Sequence, residues 1–183
     1  MYSIASEPDR LQAGKHQNLV LSSVGKETTQ SGKVTLLFKF KAKNGDYLDK
    51  MVFEPTIRST ESVGQALEFK KWYDRELKDL LKCFLSSNDT TIESTSWEGF
   101  VDSVITKLTG KTEGILLNAI IEYNDKNYPQ LAKWRGIEVT PADGSFNLQV
   151  RTGPGGHKMV RTEATPVGDG TGLETPKSEE IPF

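Results

Sequence analysis

Residues 33–43, KVTLLFKFKAK, constrain the fold more than any other stretch. Val34, Leu36, Phe38, Phe40 and Ala42 fall on one side of an extended chain, and Lys33, Thr35, Leu37, Lys39, Lys41 and Lys43 on the other. Successive side chains of a strand point to opposite faces, so this period of two predicts a strand with a buried face and a lysine-rich face. Asn44-Gly45 follows, and both residues tolerate positive φ, which predicts a tight hairpin turn. Residues 47–54, YLDKMVFE, return as the next strand and stop at Pro55. Upstream, residues 18–24, NLVLSSV, predict a first strand, and residues 25–32 a loop before the second.

The period then changes. Val63, Ala66, Leu67, Tyr73, Leu77, Leu80, Leu81 and Phe84 recur at three- and four-residue steps, which predicts one amphipathic helix over 61–85. Thr95-Ser96-Trp97-Glu98 matches a capping box opening a second helix, with Thr95 as the cap and Gly110 as its end. Trp97, Phe100, Val101, Val104, Ile105 and Leu108 form that helix's buried stripe, and Trp72 and Trp97 are expected in helix packing. Residues 113–123 and 128–139 read as two more strands, with Pro129 confined to an edge or bulge.

Three strands, two helices and two strands, in that order, predict a mainly β, α+β body: a five-stranded OB-fold barrel with its helices between strands three and four. An α+β sandwich shares this element order and stays open. The body is expected over residues 1–140, with 141–183 as a Gly/Pro-rich linker and tail. Charge divides along the same lines: 19 Lys+Arg against 19 Asp+Glu in residues 1–140, net +2 over 141–161, and net −4 over 162–183.

Composition removes several classes. No run approaches the ~18 apolar residues of a membrane helix, and the first ten residues lack the basic and apolar regions of a secretory leader. Cys83, the single cysteine, lies in an apolar helical pattern and predicts a buried thiol in a reducing cytoplasm. With only His16 and His157, no metal-ligand spacing can be drawn, and no Walker, GxSxG or dinucleotide motif is present. The chain reads as a non-enzyme without cofactor or metal.

The tail ends Ser178-Glu179-Glu180-Ile181-Pro182-Phe183. It resembles the C-terminal tip of bacterial single-stranded DNA-binding proteins, an acidic run followed by Ile-Pro-Phe, here with a shorter acidic run. Phe183 offers a ring and a carboxylate to a basic-rimmed apolar pocket, Pro182 limits the entropy lost on docking, and Glu179 and Glu180 add long-range attraction. Residues 13–18, AGKHQN, leading into a strand and then a Phe-rich strand, are similar to the entry of small bacteriophage single-stranded DNA-binding proteins. The resemblance covers about residues 11–140 as pattern, and implies an OB-fold core with a helical insertion. It also implies recruitment of host or phage replication, recombination and repair proteins through Glu179, Glu180, Ile181, Pro182 and Phe183.

Single-strand binders need cations along the backbone and flat side chains for the bases. Lys33, Lys39, Lys41 and Lys43 share one strand face, and Lys50 lies on the neighbouring strand. Tyr47 follows the hairpin turn, while Lys133 and Arg135 share one face of the last strand and Tyr128 and Trp134 the other. A solvated basic face is the competing account of the lysines, core packing that of Trp134, and a plain linker that of the basic stretch 151–158. The expected function is sequence-tolerant binding and protection of single-stranded DNA. A protein-interaction adaptor using the same tip and an RNA-binding barrel are the alternatives, and monomer, dimer or tetramer all stay open.

Overall fold

A computed structural model describes residues 9–143 and 146–161. Its centre is an antiparallel sheet of β1 (Gly14–Thr28), β2 (Val34–Lys41), β3 (Tyr47–Val52), β4 (Leu116–Tyr123), β5 (Pro129–Leu131) and β6 (Val139–Pro141). The strand order is β3-β2-β1-β4-β5, with β6 also beside β4. Between β3 and β4 come three helices, α1 (Ser62–Glu76), α2 (Lys78–Lys82) and α3 (Trp97–Leu108). The architecture is mainly β with helices in the predicted slot. The five-stranded barrel is corrected: the sheet has six strands and is not closed into a barrel, leaving β3 and β5 at its edges.

β1 runs well beyond the predicted 18–24. It pairs with β2 through residues 20–28 and with β4 through residues 14–20, and register shifts between His16 and Leu19 and between Leu21 and Ser23 divide its course. Asn18, at φ 57°, sits in the first irregularity, in the left-handed region that Asn tolerates better than most residues. The loop to β2 shrinks to a turn at 29–33, closed by the Thr29 N–H donating to the Lys33 carbonyl. At the next turn only Gly45 of the Asn-Gly pair takes positive φ (95°), because the turn spans 42–46 and Asn44 instead accepts the Asp46 N–H with its side chain.

The predicted last strand is broken. A bend over 133–137, closed by a Lys133–Ile137 bridge, separates β5 from β6, and both pair with β4. Pro129 opens the edge strand β5, where its missing N–H costs no ladder bond.

Leu36, Phe38 and Phe40 of β2, Leu48 and Val52 of β3, and Leu117, Ala119 and Ile121 of β4 line the core against Leu77, Leu80, Leu81, Phe100, Val101 and Val104. Burying each such side chain contributes roughly 1.5–3 kcal/mol. The single helix predicted over 61–85 breaks at Leu77, whose φ of −135° interrupts the turn while its side chain is fully buried. The expected stripe is also corrected at its start. Val63 is 81% exposed and Leu67 51%, because the first turns of α1 overhang the core and packing begins at Phe69, Trp72 and Tyr73. Trp72 sits edge-on to Trp97, Trp97 stacks on Phe100 at 5.5 Å, and the Trp97 indole N–H donates to the Val34 carbonyl. Ser96, not Thr95, caps α3 by accepting the Gly99 N–H, and Glu98 pairs with Lys26 instead of closing the box.

Residues 146–161 lie against the sheet. The Tyr123 N–H donates to the Lys158 carbonyl, His157 is buried, and Arg161 and the Tyr123 hydroxyl both donate to the Gln12 side chain.

Candidate nucleic-acid interface

The β2–β3 ladder places Lys39 opposite Asp49 and Lys41 opposite Tyr47, with Ser23 and Val20 of β1 on their other side. Both lysines are exposed and alternate with buried Phe38 and Phe40. Lys33 and Lys43 stand exposed at the two turns that bound β2. Among the described residues none of these four makes an ion pair, though Asp49 stands across the ladder from Lys39. Thr35 and Leu37, expected beside them, are buried, with the Thr35 hydroxyl donating to the Glu27 carbonyl. The lysine face is therefore concentrated at the Lys39–Lys41–Lys43 end.

Next to that end the two free sheet edges face each other across a groove of 340 Å³. Tyr128, 56% exposed, rises from the β4–β5 turn on one side, and Met51 and Phe53 stand exposed on the other. Arg10 joins them. Residues 9–11 pair with β3 in parallel fashion, the Leu11 N–H donating to the Tyr47 carbonyl and the Tyr47 N–H to the Asp9 carbonyl. This ladder holds the Arg10 guanidinium 6.0 Å from the Tyr47 ring centre and 5.9 Å from that of Tyr128. Two rings from opposite edges thus share one cation. Arg10, Met51 and Phe53 were not singled out in the sequence. The first thirteen residues carry no periodicity to place Arg10, and Met51 and Phe53 alternate with buried residues like any half-buried strand.

Lys50 is not on the lysine face. It points inward from β3 with its side chain 8% exposed, and its Nζ lies 3.4 Å from the Glu76 carboxylate at the end of α1. Lys133, just past β5, reaches the same carboxylate at 2.8 Å, and Arg75 reaches it at 3.1 Å. Burial pushes the Lys50 ammonium down to about 8 against the pull of Glu76, and the neighbouring Lys133 charge adds to the fall. Burial pushes the Glu76 carboxyl up, but the Lys133 hydrogen bond, the Lys50 and Lys133 charges and Arg75 together hold it below its ordinary value. Parity explains the placement. Lys50 lies on the inward side with Leu48 and Val52, where only an ion pair makes a buried ammonium tolerable.

Trp134 and Arg135 do not share strand faces with Tyr128 and Lys133, because the 133–137 bend carries them away from the groove. Both are exposed. The Arg151 guanidinium lies 4.6 Å above the Trp134 ring, so the expected core packing of that tryptophan is not what the fold provides.

Residues 179–183 lie outside the described residues. Among the described residues no group of three or more His, Cys, Asp or Glu stands where it could hold a metal ion, and no helix is long and apolar enough to cross a membrane. No protein-family model matches the chain, and no curated protein is similar to it.

Proposed function

We propose that this chain is a single-stranded DNA-binding protein that covers and protects DNA during replication, recombination or repair without strong sequence preference. On this reading its body is an OB-type barrel opened at one seam. Strands in the order β3-β2-β1-β4-β5, helices between β3 and β4, and facing β3 and β5 edges all support that assignment. The observation that carries the function is the convergence of Arg10, Tyr47 and Tyr128 over the seam, beside the unpaired Lys39 and Lys41. Cations follow the phosphates and rings receive the bases, each stacked base contributing ~1–3 kcal/mol. The acidic Ile-Pro-Phe tip at residues 179–183 then recruits replication and repair proteins.

Fluorescence anisotropy with an oligo-dT of about 30 nucleotides, spanning the site sizes of such folds, tests this across salt concentrations with duplex DNA and an equal-length RNA as competitors. Tight, salt-sensitive binding that ignores the duplex supports the reading. Binding no better than that of a neutral control protein would sink it and leave an adaptor function for the tip.

A further inference from the structure

The structure assigns a second contact for single-stranded DNA to the side of the 133–137 bend away from the seam: a stacking platform made by Trp134 and held in place by Arg151. The assignment rests on the single-strand function proposed above and extends the path of the strand past Lys133, away from the groove beside Tyr128.

The bend is built to present an indole. Trp134 is 48% exposed. Its backbone N–H donates to the Gly136 carbonyl at 3.0 Å, closing the bend on itself. That bond and the Lys133–Ile137 bridge fix the backbone of Trp134 within the bend.

The basic Gly-rich stretch 151–158 fixes it from above. The Arg151 N–H donates to His157 Nδ1 and the His157 N–H donates to the Arg151 carbonyl, closing the segment into a loop around a buried imidazole. Gly156 admits no Cβ, which would lie 2.6 Å from the Arg151 carbonyl oxygen. The loop delivers the Arg151 guanidinium onto the indole at 4.6 Å, and Glu138 holds its Nε at 3.7 Å. A guanidinium stacked on an exposed indole is a preorganised surface for a planar, electron-rich base.

Charge favours a phosphate beside it. The adjoining cleft of 440 Å³ has Lys82, Arg135 and Arg151 on its walls against Asp79 and Glu138. Asp79 faces Lys82 at 3.7 Å and Glu138 faces Arg151, whereas Arg135 is exposed and makes no ion pair among the described residues. Arg135 is therefore the cation free to meet the backbone of a strand whose base stacks on the Arg151–Trp134 pair.

Intrinsic tryptophan fluorescence of the full chain, titrated with oligo-dT of about 8 and about 30 nucleotides, separates the two contacts, since one such fold covers roughly 4–16 nucleotides. Trp72 and Trp97 are packed among the helices, so quenching by the long oligomer reports Trp134 and disappears in Trp134→Phe. Arg135→Ala, which removes no contact within the fold, weakens the long oligomer about tenfold and leaves the short one unchanged. Tyr128→Ala weakens both. Undiminished quenching in Trp134→Phe, or wild-type affinity of Arg135→Ala for the long oligomer, overturns this second contact while leaving the groove intact. Failure of the wild-type chain to bind either oligomer overturns both.

Discussion

The Nζ of Lys133, two residues past β5, lies 2.8 Å from Oε2 of Glu76, the last residue of α1. Glu76 also holds Lys50 from β3, so one carboxylate ties both free edges of the sheet to the helical layer. No ladder links β3 to β5. The ion-paired cluster and the Arg10 contacts to Tyr47 and Tyr128 bridge them, beside the core that Leu48, Val52 and Leu131 share.

That cluster makes stability depend on pH in an uncommon direction. The Lys50 ammonium is depressed to about 8 in the fold, against 10.5 in the unfolded chain. Between those values the unfolded chain holds a proton that the native state lacks, so stability rises with pH across that window, and the cost is fully present below pH 8. Lys50→Met removes it, leaving Glu76 paired with Lys133 and Arg75. Urea unfolding at pH 7 is expected to find the variant equal to or up to about 3 kcal/mol above wild type, the gap closing toward pH 10. Glu76→Gln takes the carboxylate from Lys50, Lys133 and Arg75, leaving the Lys50 ammonium buried without a partner, and costs about 3 kcal/mol. A Lys50→Met protein much weaker than wild type at pH 7 would contradict this account.

Strand content was legible where one face is buried and the other is not. Phe38 and Phe40 alternate with Lys39 and Lys41, and the ladder follows that alternation. Lys50 obeyed the same parity, yet its type suggested the surface, because sequence does not reveal a Glu76 that arrives from a helix 26 residues later. The 133–137 bend was hidden for a similar reason. Its signature is tertiary, in β5 and β6 both pairing with β4, and the local pattern reads as one strand. Arg10 carried no local signal at all; a single backbone exchange with Tyr47 places it.

The rings of the seam give a second prediction. Stacking uses the ring face, so Tyr47→Phe and Tyr128→Phe keep oligo-dT affinity, while either alanine variant loses about 1–3 kcal/mol, a roughly 5- to 150-fold weakening. Anisotropy at constant salt measures it. Equal loss in the phenylalanine variants would assign the energy to the hydroxyl instead.

On the proposed function, Lys39 and Lys41 would act through charge. Each phosphate neutralised on a single strand contributes about 0.7 to the slope of log affinity against log salt. The double alanine variant should therefore lower the slope by about 1.4. Both side chains are exposed and outside the core, so thermal stability should stay within about 0.5 kcal/mol of wild type. An unchanged slope would move the strand off this face.

Cys83 provides a check on the helical layer. Burial, with Asp79 nearby, pushes its thiol up to about 12, and the Sγ–H points at the Asp79 carbonyl. At pH 8 roughly one thiol in 10⁴ is ionised, and thiolate is the reactive form. A disulfide reagent should leave the native chain unmodified and titrate one thiol in urea. Rapid reaction of the native protein would mean that α2 opens from the core.

The acidic tail supplies the last prediction. Residues 162–183 carry net −4, and they are tethered to a body whose Lys39, Lys41 and Arg10 form an exposed basic surface. A tethered polyanion competes with DNA for such a surface at an effective concentration set by the tether. Deleting residues 175–183 should raise oligo-dT affinity in low salt and leave it unchanged near 1 M salt, where screening confines charge interactions to about 3 Å. The same deletion should abolish capture of replication and repair proteins, because it removes Phe183 and its carboxylate. Unchanged affinity at low salt would refute the competition while leaving recruitment standing. Capture that survives the deletion would take recruitment away from the tip and place it on the folded body.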